Sequence, residues 1–322
     1  MCVNVAKETG TIVGFFEPLT KLIKGYKTIK QLTETIREMQ PDVAVLISFP
    51  GINLPLGKAL RSSDIKVIYI SPPQFWAWGR FRVNLLKQAS DTVVCLFNFE
   101  QELLQRAGIK AIYHGYPFYD AVKCQLSRNE VYRLLGLTED RDYIVFLPGS
   151  RESEIVYHQP LFLQVFQHLK QKHPQLEGIL IGGIEAELPA GMLRINPDIR
   201  YEVIAYARAA LVVSGTATAE LAILGVPMIV TYHLYPVSRF FARLFVKTPY
   251  FALPNIIANE RIVNEYLEPG PALLSSALSR ILSDNDYRQK IIDKLELVKN
   301  RLAPPGATEK IAYLILGIGE LQ

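Results

Sequence analysis

The sequence predicts an α/β protein built from two doubly wound parallel sheets facing a cleft. Three observations carry this expectation. Short β-branched runs alternate with helical patterns along most of the chain. A polar stretch from Ser127 to Asp142 separates one such series from a second that opens at Tyr143-Ile144-Val145-Phe146-Leu147. Within the second series, Val212-Val213-Ser214-Gly215-Thr216-Ala217-Thr218-Ala219-Glu220 continues into an apolar helical run and a second β-branched run at 228–231. That is a strand, a small-residue turn, a helix and a strand, the unit from which parallel sheets are built. The expected division is residues 1–138 and 139–306, with a C-terminal helix at 307–322 packing back on the first domain.

In chain order, residues 12–30 come first. Ile12, Val13, Phe15, Phe16, Leu19, Leu22, Ile23 and Tyr26 fall largely on one stripe, with Lys21, Lys24, Lys27 and Lys30 close by and Pro18 at a suitable helix start. Two readings stand side by side: an interfacial membrane element, or a core helix with a solvated lysine face. Strands are expected at 42–49, 66–70, 92–97 and 110–113, with helices around 27–39, 54–62, 80–88 and 99–107. The loop at 71–82 holds Trp76 and Trp78 with two arginines and two prolines. Its aromatics suit stacking on a sugar or lipid, and equally a loop packed down as a satellite core. A short helix at 128–135 precedes the second series: strand 143–147, helix 158–172, strand 178–181, a strand near 201–204, strand 210–213, helix 217–225 and strand 228–231. After Gly306, residues 307–318 are apolar at helical spacing.

Composition narrows the function. At 322 residues the chain is too long for one ordinary core. Its 35 basic against 31 acidic residues leave an excess of +4, too small to imply nucleic acid. Cys2, Cys95 and Cys124 show no metal spacing, and an odd count suits a reducing compartment. No histidine cluster has ligand spacing, so no metal is expected. A P-loop and a Gly-x-Ser-x-Gly elbow are both missing from the sequence, which counts against a kinase, an ATPase and a serine hydrolase. No apolar run reaches the length of a membrane span.

Three segments carry candidate chemistry. Leu147-Pro148-Gly149-Ser150-Arg151-Glu152-Ser153-Glu154 ends a strand with a hydroxyl and a guanidinium, the donors that phosphate oxygens accept. At Ser214–Glu220, backbone amides open at a helix start where an anion is favoured, and Glu220 lies within reach of a sugar hydroxyl. The alternative there is a Ser/Thr-capped core helix. In Leu253-Pro254-Asn255, the asparagine bonds a base or phosphate, or caps the following helix.

Taken together, these motifs resemble those of lipid-A-disaccharide synthases, inverting UDP-sugar glycosyltransferases of the two-domain GT-B type with Rossmann-like domains. The matching segments are Ser71-Pro72 with Trp76-Ala77-Trp78, Leu147–Glu154, Ser214–Glu220, Val246-Lys247-Thr248-Pro249-Tyr250 and Leu253-Pro254-Asn255, in family order. The resemblance implies transfer of a sugar from UDP-2,3-diacylglucosamine to 2,3-diacylglucosamine 1-phosphate, giving a β-1,6-linked disaccharide and UDP. It assigns UDP to Ser150, Arg151, Ser214, Thr216, Glu220 and Asn255, with Gly215 and Thr218 of the same turn. Trp76, Trp78 and Asn53 are the acceptor or lipid candidates. Ile12, Val13, Phe15, Phe16, Leu19, Leu22 and Ile23 match the family's membrane-touching patch, which implies a cytoplasmic protein peripheral on the inner membrane face. No cofactor is implied beyond the donor substrate, and a homodimer is left open.

The chain also departs from the pattern. The family's first strand and its Gly-Glu-x-Ser-Gly-Asp loop have no counterpart in this sequence, so the first domain is expected to lack its initial strand or strands. The family's Asp-x-Pro-Asp-x-Asn reads Ser48-Phe49-Pro50-Gly51-Ile52-Asn53, and its Gly-His-Pro reads Gly115-Tyr116-Pro117. With Gly51 where a carboxylate is expected, the proton of the acceptor hydroxyl must go elsewhere. Asp120 and Glu100 are the candidates by position. The rival reading is a homologue that binds nucleotide sugar or lipid without turnover.

Overall fold

The computed structural model describes residues 19–78, 81–233 and 249–317, with the side chains of 19–26, 77 and 78 outside that description. Ile12, Val13, Phe15 and Phe16 lie outside the described residues, as do the side chains of Leu19, Leu22, Ile23 and Trp78. Two compact units are present, each an α/β layer structure on its own parallel sheet. Among the described residues the first comprises 19–117 and 304–317, and the second 118–233 and 249–303.

The sheet of the first unit runs in chain order: β1 (Val43–Ile47), β2 (Lys66–Ile70), β3 (Thr92–Val94) and β4 (Ala111–Ile112), all parallel. Alternation along these strands separates two apolar faces. Helix α1 (Leu19–Met39) lays Leu32 and Ile36 on the first of them. There Val67, Tyr69 and Val93 point into a cluster with Leu54, Leu60 and Leu86, contributed by helices α2 (Pro50–Arg61) and α4 (Phe81–Ala89). Ile68 and Val94 point the other way, onto Ile311 and Leu314 of the C-terminal helix Ala307–Leu316. Helices α3 (Phe75–Trp78) and α5 (Asn98–Arg106) follow β2 and β3.

Glycine is required where α2 meets α4. A methyl on Gly57 would overlap the carbonyl oxygen of Ala89, so the two helices approach more closely than any side chain would permit. Gly115, at φ 109°, faces the Pro304 carbonyl in the same way, and Tyr116 beside it is buried in a stack on Phe97.

The second unit holds six parallel strands: β5 (Tyr143–Leu147), β6 (Glu177–Ile181), β7 (Met192–Ile195), β8 (Ala209–Val213), β9 (Met228–Tyr232) and β10 (Asn264–Leu267). Across the sheet they are ordered β10-β9-β8-β5-β6-β7. Strand order reverses between β5 and β8, the topological switch point at which ligands bind in such sheets. Strands β5 and β8 are buried at every position, the pattern of a sheet covered on both faces. Helix Pro271–Ser283 packs on helix Glu152–Lys172, and helix Asn285–Leu302 on helix Ala217–Ile223.

One expected strand is a helix. Residues 201–204 are not a strand but part of helix Arg200–Ala205. Asn196 accepts from the Asp198 amide to start a 3-10 turn at Pro197–Ile199 that leads into it. Val203 and Ile204 are buried under the sheet, and so short an apolar run does not distinguish helix from strand by period. The sixth strand position is filled instead by Met192–Ile195. Residues 118–138 sit with the second unit: Glu202 accepts from the amides of Gln125 and Leu126, and Tyr132 is buried edge-on to Tyr143.

Candidate functional site

The switch point of the second sheet brings two of the sequence-predicted turns side by side. Strand β5 leads into Pro148–Arg151, β8 leads into Ser214–Thr216, and the strands are neighbours paired from Ile144↔Ala209 to Leu147↔Val212. Gly149 is at φ 115°, and a Cβ there would meet the side chain of Glu154. Glu154, at the third position of helix Glu152–Lys172, folds back over the turn. Its Oε2 accepts from the Ser150 and Arg151 amides at 3.3 and 3.4 Å, and its Oε1 accepts from Arg151 at 2.8 Å. Arg151 is therefore held by its own helix cap while its side chain stays 52% exposed. An exposed guanidinium in such a local pair keeps further donors for another anion.

At the second turn, Ser214 Oγ donates to the Phe251 carbonyl at 2.8 Å. Gly215 has open space where a Cβ would stand, and among the described residues no acceptor takes the amides of Gly215, Thr216 or Ala217. These amides form an open edge at a helix start, suited to an oxyanion. Glu220 is met by two residues from the segment around 201–204, where a strand was expected. Tyr201 donates to its Oε1 at 3.0 Å, and Arg200 Nε lies 3.4 Å from its Oε2. The Arg200 guanidinium also covers the Tyr201 ring at 4.2 Å, so the Glu220 carboxylate is fixed in direction.

Two residues of the predicted donor set lie in the interior. Thr218 is fully buried and its hydroxyl donates to the Gly215 carbonyl at 2.7 Å, so it shapes the turn from beneath. Asn255 is also fully buried. Its Nδ2 donates to the Val263 carbonyl and its Oδ1 accepts from the Ile262 and Val263 amides, which ties helix Leu253–Ala258 to the start of β10.

A group missed in the sequence lies at the ends of β9 and β10. His158 is buried, its Nδ1 2.8 Å from the Glu154 carbonyl, and burial holds its pKa below the ordinary range. Tyr157 stacks on His233, whose Nδ1 lies 3.5 Å from Glu268. An i, i+1 Tyr-His pair on a helix gives no periodic signal, and only the sheet order brings it to His233.

The first unit carries strain at the carboxyl ends of β1 and β2. Ser48 and Phe49 are both left-handed, at φ 51° and 48°, and Ser71 follows at 61°. Asn53 Nδ2 donates to the Ile47 and Ser48 carbonyls, and Tyr69 donates to Ser48 at 2.6 Å. Asn53 is thus a buried staple for this turn. Trp76 is likewise packed down: its Nε1 donates to Glu100 at 3.0 Å and its ring meets Phe99 edge-on. Glu100, a candidate base, is 1% exposed and also accepts from the Leu96 and Phe97 amides. Asp120 is half-buried on the 3-10 turn Tyr119–Ala121. Among the described residues no cluster of His, Cys, Asp and Glu is placed to hold a metal, and no helix is long and apolar enough to cross a membrane.

Among solved structures the chain is similar to the S. aureus MnaA-UDP co-structure (TM-score 0.64, 13% identity, 95% of this chain and 82% of that one). It is also similar to α,α-trehalose 6-phosphate synthase from Burkholderia multivorans (TM-score 0.59, 11% identity, 94% and 76%). At such identities the likeness is of fold, the two Rossmann-like sheets of the GT-B class. A lipid-A-disaccharide synthase from Nitrosococcus oceani is 31% identical, covering 96% of this chain and 82% of its own. The family profile described as lipid-A-disaccharide synthetase matches residues 3–305, and this chain belongs to that family.

Proposed function

We propose that the chain transfers an acylated glucosamine from UDP to an acylated glucosamine 1-phosphate, with inversion. The observation that carries this reading is the β5/β8 switch point, where the exposed Arg151 guanidinium and the open Gly215–Ala217 amides border one site. In this reaction the acceptor hydroxyl attacks the anomeric carbon as the bond to UDP breaks. UDP leaves with the electron pair, and the hydroxyl proton passes to a base. Arg151 and the open Gly215–Ala217 amides meet the growing diphosphate charge without a metal, and Glu220, aimed by Arg200 and Tyr201, receives a ribose hydroxyl. Thr216 and Ser214 line the same turn. The S. aureus MnaA structure, similar in fold, is a co-structure with UDP, which agrees with a uridine nucleotide as ligand here. The stripe at residues 12–23 meets the inner membrane face, which suits acylated substrates.

Calorimetry with UDP on the native chain and on Arg151→Ala tests the donor half. A charge-assisted contact is worth roughly 1.5–3 kcal/mol, so binding should weaken about 10- to 100-fold. Unchanged affinity removes Arg151 from the site. Turnover should persist in excess EDTA.

A second reading is favoured by Gly51 and by the burial of Glu100, which together leave Asp120 as the remaining base candidate. On that reading the chain binds nucleotide sugar without transferring it. UDP release on addition of acylated glucosamine 1-phosphate separates the two: release supports transfer, and UDP binding without release supports the binder.

A further inference from the structure

Between α2 and α4 of the first unit runs a groove of about 400 Å³, within the size range of small-molecule sites. Its walls are apolar. Leu54 and Pro55 face it from one helix, and Phe81 and Leu85 from the other, the last two 59% and 42% exposed. Gly51, Leu54, Pro55 and Lys58 recur at helical spacing on one face of α2, while Phe81 and Leu85 lie one turn apart on α4.

Two cations line the same groove, Lys58 and Arg82. Among the described residues neither side chain makes a hydrogen bond or ion pair with another, and Arg82 lies 5.9 Å from the Phe81 ring centre. The next cation along α2, Arg61, is already engaged by Asp91 at 2.9 Å. An apolar trough with two uncompensated cations in its lining lacks an anion and an aliphatic surface together.

We propose that this groove is the acceptor subsite: Leu54, Pro55, Phe81 and Leu85 seat an acyl chain, and Lys58 and Arg82 take the phosphate of an acylated sugar phosphate. The proposal rests on the transfer reading above and deepens it. Gly51, at the mouth of the groove, has open space where a side chain would stand, so the headgroup meets no steric barrier at the carboxyl end of β1. An apolar peptide segment would satisfy the wall and leave both cations unanswered. An inorganic phosphate would do the opposite.

The test uses the full chain and a short-chain, water-soluble diacylglucosamine 1-phosphate, with glucosamine 1-phosphate and anionic vesicles as parallel ligands and UDP as the fold control. The acylated compound should bind at least about tenfold more tightly than the deacylated one. Leu85→Glu and the double variant Lys58→Ala/Arg82→Ala should each weaken acylated binding about tenfold or more while leaving UDP affinity unchanged. Because these side chains are at the surface, both variants should fold, and Phe81→Ser replaces Leu85→Glu if UDP binding is lost. Acceptor affinity unchanged in both variants overturns the proposal. So does a loss of vesicle binding alone, which would assign the groove to the membrane surface. If acceptor binding behaves as expected and no sugar is transferred, the groove stands and the transfer reading fails. If transfer proceeds with the acceptor KM unaltered in the variants, the reverse holds.

Discussion

With its carboxylate 1% exposed, Glu100 accepts from the Trp76 indole and from the Leu96 and Phe97 amides, yet burial outweighs these donors and pushes its pKa up to about 7. The folded protein therefore holds a proton that the unfolded chain releases at lower pH. Its contribution to stability is complete below the ordinary carboxylate range and is lost as pH rises through about 7. Urea midpoints should fall between pH 4.5 and 7.5 by an amount equivalent to at most about 3 kcal/mol. Glu100→Gln should flatten that slope, and an unaltered slope would show that another group causes it. Asn255 makes a second test at this scale. Asn255→Ala leaves two amides and one carbonyl unpaired in the interior and should cost about 2–4 kcal/mol of stability. UDP affinity of the folded fraction should stay the same, because the side-chain amide is bonded to the backbone of Ile262 and Val263.

At the scale of elements, the approach of α2 to α4 depends on Gly57. Gly57→Ala forces a methyl onto the Ala89 carbonyl and should lower stability by about 1–3 kcal/mol, read from denaturant midpoints. Gly51, at the start of α2, differs: nothing crowds a side chain there, and its helix has no acidic residue in the first turn. Gly51→Asp should stabilise the helix start by about 0.3–1 kcal/mol through the helix dipole. If the missing carboxylate is what limits transfer, the same change should raise the rate of UDP release about 10²- to 10⁴-fold. A stabilised variant with unaltered turnover would place the base elsewhere. The helix Arg200–Ala205 shows why some elements resist sequence reading. Its six residues carry no full period, and its place is set by the Asn196 turn before it and by burial of Val203 and Ile204.

For the whole molecule, the amphipathic stretch at 12–23 should govern membrane attachment. Phe15→Glu and Phe16→Glu together should reduce co-sedimentation with anionic vesicles and weaken its salt dependence little, since the lysines remain. Full retention on vesicles would remove this stretch from the interface. Much of the architecture was legible beforehand because it is local. The runs at 66–70 and 143–147 coincide with β2 and β5, and the Ser-Arg and Ser-Gly-Thr turns stand at strand ends as their small residues and hydroxyls imply. Such signals need only neighbours along the chain: β-branched residues, glycine at a turn, an apolar period of two. The order of the six-stranded sheet, which makes β5 and β8 neighbours and creates the switch point, is a property of the folded chain. So is the division of polar residues between site and scaffold. Glu100 became interior through Trp76, 24 positions away, Glu220 was aimed by Arg200, 20 positions away, and Lys58 and Arg82 came to line one groove from two helices. Burial and partnership are set by contacts distant in sequence, so the residue types marked the strand-end turns while the packed chain decided which polar side chains are exposed and which are bonded inside.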